Sequence, residues 1–122
     1  MIQIKEVAYT VLPVTDIERA RAFYEGVLGL VPGKTFSSKA GVWVEYDLGA
    51  TTLSITSMID AAWQPSPHGA AVALEVVDFD AAVVWLKGKG VRFQTEPWEG
   101  SSCRMATVFD PDGNCLAIHR LK

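Results

Sequence analysis

The sequence is short of three things. It has only two cysteines, Cys103 and Cys115, too few for the disulfide frameworks that staple small secreted domains. If the two flank an expected Asp110-Pro111-Asp112-Gly113 turn, strand rise sets them roughly 16 Å apart, beyond the about 7 Å a bridge spans, so both are expected as free thiols. It has no excess of positive charge: 11 Lys and Arg stand against 14 Asp and Glu, for a net charge of -3. No basic stripe is then available to neutralise phosphates, which argues against nucleic acid and anionic membranes as partners. It has no apolar run near the ~20 residues that span a bilayer, and Met1 to Lys5 reads as the start of a strand rather than a signal peptide. The expected location is the cytoplasm.

What is present is enough for one core. With 122 residues and 49% hydrophobic content, the chain suits a single domain and not two ordinary ones. "EVAYTVLPV" is rich in β-branched residues and reads as a strand. A helix is expected next, with Thr15 and Glu18 as a capping box, Ala20, Phe23, Tyr24 and Val27 at helical spacing, and Gly29 as its stop. "GVWVEYDLG" and "TTLSITS" read as strands joined by a turn at Gly49-Ala50, and "MIDAAWQPSPHG" as a linker.

The pattern then repeats. "AAVALEVVD" is a second strand ending in Asp78, a helix N-cap, after which Phe79, Ala82, Val83 and Leu86 recur at i, i+3, i+4, i+7 until Gly88 and Gly90. "VRFQTEPW", "SSCRMATVFD" and "GNCLAIHRL" supply three more strands. The order is β-α-β-β-β written twice, with Asp16 matching Asp78 and Gly29 matching Gly90. The expected fold is α+β, one domain over 1–122: module one about 2–57, a linker about 58–68 and module two about 69–122. Two tandem modules with their helices outside would form a curved, partly open mixed sheet around a concave pocket, the default ligand site.

Through "VTDIERARAFYEGVLGL", "VEYDLGATTLSI", "LEVVDFDAAVVWLKGKGV" and "VFDPDGNCLAIH", the sequence resembles the vicinal oxygen chelate superfamily. Glyoxalase I, bleomycin-resistance proteins, fosfomycin-modifying enzymes and extradiol dioxygenases belong to it. The resemblance covers nearly the whole chain and implies the fold, a homodimer and a small-molecule ligand; one scaffold hosts many reactions, so it does not fix the chemistry.

Metal-dependent relatives present ligands from the first and last strand of each module. By resemblance those positions are Tyr9, Ser54, Ala71 and Ala117. A divalent ion needs about three good N, O or S donors from the protein. Alanine offers none, and a phenol and a serine hydroxyl are poor ones. Sliding each strand by one residue brings up Thr10 or Ala8, Val72 or Ala70, and Ile118 or Leu116, which are no better. No cofactor and no divalent metal are therefore expected. Where glyoxalase I holds a glutathione carboxylate with a basic residue, the corresponding position is Pro13.

Strand alternation puts Tyr9, Val11, Trp43, Glu45, Thr52, Ser54, Thr56, Ala71, Ala73, Glu75, Cys103, Met105, Thr107, Cys115, Ala117 and His119 on the pocket face. Of these, Tyr9, Trp43, Glu45, Thr52, Ser54, Glu75, Met105, Thr107 and His119, joined by Trp98, are the candidate ligand-binding residues. Trp63 and Trp98 are read as loop aromatics, Trp85 as surface or interface packing, and His68 as exposed. Aromatic walls and carboxylates suit an aromatic or cationic compound. Two functions are expected to compete. One is a binding protein of the glyoxalase and bleomycin-resistance type. The other is a metal-independent, less readily metal-dependent, lyase or isomerase acting on a small carbonyl compound, with Glu45 as base and Tyr9 as acid or oxyanion donor.

Overall fold

The computed structural model describes residues 1–122, which divide into two compact units, Met1–Gln64 and Pro65–Lys122. In the first, β1 (Thr10–Pro13) leads to α1 (Ile17–Arg21), which continues as a π-helical segment, Ala22–Val27. There follow β2 (Pro32–Ser38), β3 (Gly41–Leu48) and β4 (Thr51–Thr56). The second unit holds β5 (Val72–Glu75), α2 (Phe79–Gly88), β6 (Phe93–Glu99), β7 (Cys103–Phe109) and β8 (Cys115–Leu121). Each unit carries one four-stranded sheet, ordered β1-β4-β3-β2 and β5-β8-β7-β6. The first strand of each runs parallel to the last, a pairing that requires the helical crossover between them, and the other pairs are antiparallel. This is the α+β, β-α-β-β-β architecture that the sequence pattern implies.

The repeat extends to backbone angles. Asp16 and Asp78 both cap their helices from extended conformations, φ/ψ of -130/104 and -132/105 degrees. Their Oδ1 atoms accept from the backbone N–H of Arg19 at 3.1 Å and of Ala81 at 3.0 Å. The first cap thus lies one residue after the expected Thr15, whose Oγ1 instead accepts from the Arg19 guanidinium at 3.2 Å. Past each helix, Gly29 and Gly90 share a φ of 74 degrees, the left-handed region that glycine enters without strain.

In the first unit, Tyr46 stacks on Tyr24 with ring centroids 6.2 Å apart, which fixes the helix-facing side of the sheet. Register then sets Val44, Leu53, Ile55 and Leu12 on that side, all buried. In the second unit the Arg104 guanidinium lies 4.5 Å from the Phe79 ring centre, so Arg104, Ala106 and Val108 face α2 with Leu116 and Ile118 opposite. Each large apolar side chain so buried contributes about 1.5–3 kcal/mol relative to exposure.

Three elements depart from the sequence reading. The first strand is expected from Glu6, but pairing begins at Thr10 and every residue from Met1 through Thr10 is exposed. The helix expected to run to Gly29 switches to π geometry after Arg21, with Leu28 N–H donating to Phe23 O at 2.9 Å; the apolar spacing that predicts a helix does not separate the two forms. β2, "PGKTFSS", has no apolar alternation. It is an exposed edge strand whose Pro, Lys and register shift suit it to leaving one side unpaired.

Candidate functional site

The face of the first sheet turned away from the helix carries four of the candidate residues together. Trp43 and Glu45 alternate with the buried Val44 and Tyr46 and therefore share this face. The indole Nε1 of Trp43 donates to Glu45 Oε2 at 3.1 Å. Tyr9, just before β1, stands edge-on to the same indole, centroids 5.3 Å apart and planes at 89 degrees. Glu45 pairs across β3 and β4 with Ser54. Ser54 is fully buried, yet its Oγ has no hydrogen-bond partner. A buried hydroxyl left unpaired costs about 1–3 kcal/mol. Thr52 is not part of the group: its hydroxyl donates to Asp47 Oδ1 at 2.9 Å near the hairpin end.

A second set crosses the other sheet. Glu75 Oε1 lies 2.5 Å from His119 Nδ1, and its Oε2 accepts the Leu121 N–H at 2.8 Å. The Leu121 N–H first, then the imidazole, holds the Glu75 carboxyl below the usual carboxylate range. Met105 is opposite His119 on one side and Trp98 on the other. Trp98, read both as the end of the strand "VRFQTEPW" and as a loop aromatic, is a residue of β6 whose ring covers Gly100, where an added Cβ would come within 2.9 Å of it. Thr107 presents a second buried hydroxyl without a partner, beside Ala117 in the register.

Both cysteines are free. The Cys115 Sγ sits 3.0 Å from Gln94 Oε1, and burial pushes its thiol upward, away from nucleophilic use. The two remaining tryptophans are exposed: Trp63 beyond the Asp60 turn, and Trp85 beneath the Lys89 ammonium, 4.6 Å from its ring centre.

The sequence reading missed one polar network. Arg21 Nε donates to Glu25 Oε2 at 2.6 Å, and the fully buried Tyr46 hydroxyl donates to the same oxygen at 2.9 Å. Arg21 holds the Glu25 carboxyl low, while burial and then Glu25 push the Tyr46 phenol far above its ordinary range. The i, i+4 spacing of Arg21 and Glu25 was the available signal. The network joins helix to sheet and faces away from the Trp43 group.

Within each unit, the positions that the resemblance marks for metal ligands offer a divalent ion few donors. Ala71 and Ala117 bring no donor atom, the Tyr9 ring packs on Trp43, and Ser54 offers a single hydroxyl. Nowhere do three His, Cys, Asp or Glu side chains converge on a common point.

Comparison with known proteins places these features. The family model described as the Glyoxalase/Bleomycin resistance protein/Dioxygenase superfamily matches residues 6–118. No curated protein matches the chain. Among solved structures, TnmS3, an antibiotic binding protein from Streptomyces sp. CB03234, superposes with a TM-score of 0.82 at 24% identity, with 100% of both chains covered. A glyoxalase/bleomycin resistance protein from the same Streptomyces sp. gives a TM-score of 0.75 at 25% identity, covering 93% of this chain and 98% of that one. A superfamily member from Sphaerobacter thermophilus DSM 20745 gives 0.77 at 23% identity, covering 96% and 98%.

Proposed function

The chain belongs to the glyoxalase/bleomycin resistance protein/dioxygenase superfamily, and from that premise we propose that it is a metal-independent binding protein for a small aromatic cation. The observation that carries this reading is the Tyr9, Trp43, Glu45 group. An indole whose N–H is fixed by a carboxylate, with a second aromatic edge beside it, offers a flat apolar wall and a negative charge at one place. That TnmS3 is an antibiotic binding protein supports sequestration as the use of such a site. No helix is long and apolar enough to cross a membrane, and two free thiols support a reducing, cytoplasmic setting.

The alternative role of Glu45 as a catalytic base with Tyr9 as its acid draws less support, because one Glu45 oxygen is already engaged by Trp43. We assign the working form as a homodimer, supported by the exposed apolar side chains of Ile2, Ile4 and Val7 ahead of β1. Equilibrium dialysis against proflavine, a planar cation, and anthracene carboxylate, a planar anion, tests the binding role. Saturable retention of proflavine alone is expected, and equal retention of both or of neither contradicts it.

A further inference from the structure

The second sheet carries a feature that a binding role leaves unused. Trp98, Met105, His119 and Glu75 follow one another across β6, β7, β8 and β5 in a single row of register partners. At the end of that row both oxygens of Glu75 are fixed, Oε1 by His119 Nδ1 at 2.5 Å and Oε2 by the Leu121 N–H at 2.8 Å, with Arg120 Nη1 3.6 Å from Oε2. A carboxylate on Nδ1 keeps a proton on that nitrogen, orients the ring and leaves the lone pair on Nε2. Nε2 has no hydrogen-bond partner, and the side chain is 26% exposed.

We propose that Glu75 and His119 form a carboxylate–imidazole base whose working atom is His119 Nε2, acting on a small aromatic compound with an acidic proton held against Met105 and Trp98. This goes beyond the binding role, which concerns the first sheet. In the step, Nε2 takes the substrate proton and the bonding electron pair stays on the substrate. The imidazolium that forms is stabilised by the Glu75 carboxylate at Nδ1. The proton then passes to product or water, so no oxidant, reductant or second reactant is required. Glu75 acts as the positioning residue and His119 as the base, because both Glu75 oxygens are committed. The only other histidine, His68, follows the Ser66 turn and has no carboxylate on its ring.

The probe is nitrobenzisoxazole, an aromatic carbon acid. Removal of its ring C–H proton forms the nitrile as the N–O bond breaks and releases a coloured phenolate. The wild-type chain is expected to outpace an equal concentration of free imidazole. His119→Gln should lose roughly a hundredfold, within the range for a positioned general base, and Glu75→Gln about tenfold, while His68→Gln retains the wild-type rate. An unchanged rate in a folded His119→Gln protein, or a wild-type rate no better than imidazole, overturns the proposal. Nitrogen NMR of the wild-type histidines gives a check that needs no variant. In the neutral ring, a proton on Nδ1 with Nε2 bare supports the base, and a proton on Nε2 overturns it.

Discussion

The Trp43 indole N–H is committed to Glu45 at 3.1 Å, so the ring plane and the carboxylate are locked together on one face of the first sheet. A planar cation meeting that pair gains stacking and charge attraction without first ordering either side chain. Glu45→Gln keeps the shape and removes the charge. It is expected to weaken proflavine binding about tenfold, the equivalent of ~1.4 kcal/mol, and to leave the affinity for an uncharged aromatic near its wild-type value. Isothermal titration of both probes checks it.

Ser54 separates stability from binding. Because its hydroxyl is buried and unpaired, Ser54→Ala removes an unsatisfied group and should leave stability unchanged or raise it by up to about 1 kcal/mol. Because no surface of the hydroxyl is accessible, the same change should leave proflavine affinity near its wild-type value. Denaturant melts beside the titration read both, and a clear loss of stability would show that the hydroxyl has a partner.

The Tyr46–Glu25 contact gives stability a pH signature. Glu25 is held low by Arg21, so its contribution is full above the ordinary carboxylate range near pH ~4.3 and is lost as pH falls toward its folded value. Tyr46 is pushed up by burial, so its contribution is full below about pH 10 and is lost as pH rises beyond that. Tyr46→Phe is expected to cost about 1–3 kcal/mol at neutral pH, since Glu25 loses a buried donor, and to flatten the alkaline limb. Melting temperature across pH, wild type against variant, is the measurement.

Ile2, Ile4 and Val7 are exposed in the isolated chain. If they pack on a second copy, an Ile2→Lys, Ile4→Lys double variant should sediment as a monomer where the wild type sediments as a dimer. A wild-type monomer at micromolar concentration removes the dimer assignment.

Much of the fold was legible because its signals are local. Asp78 announces its helix, Gly49-Ala50 its hairpin, and the alternation of Val44 and Tyr46 with Trp43 and Glu45 its two faces. β2 was not, since "PGKTFSS" gains its strand geometry only from pairing with β3. Nor was the π turn, whose apolar spacing reads equally well as α. Of the candidate site, residue types and faces were readable, but two partnerships were not. Glu75 with His119 depends on parallel register between strands 44 residues apart in sequence, and Tyr46 with Glu25 depends on how a helix settles on a sheet. Thr52 had the right face and the wrong neighbour, because Asp47 lies within reach of its hydroxyl.

The most direct measurement is tryptophan fluorescence of the wild type and of Trp43→Phe during titration with proflavine. Four tryptophans contribute to the signal, and binding at the Trp43, Glu45 face should quench chiefly the one that the variant lacks. Saturable quenching in the wild type that is largely lost in a folded Trp43→Phe protein is the expected result. Quenching of equal amplitude and midpoint in both would place the ligand elsewhere and contradict the proposed site.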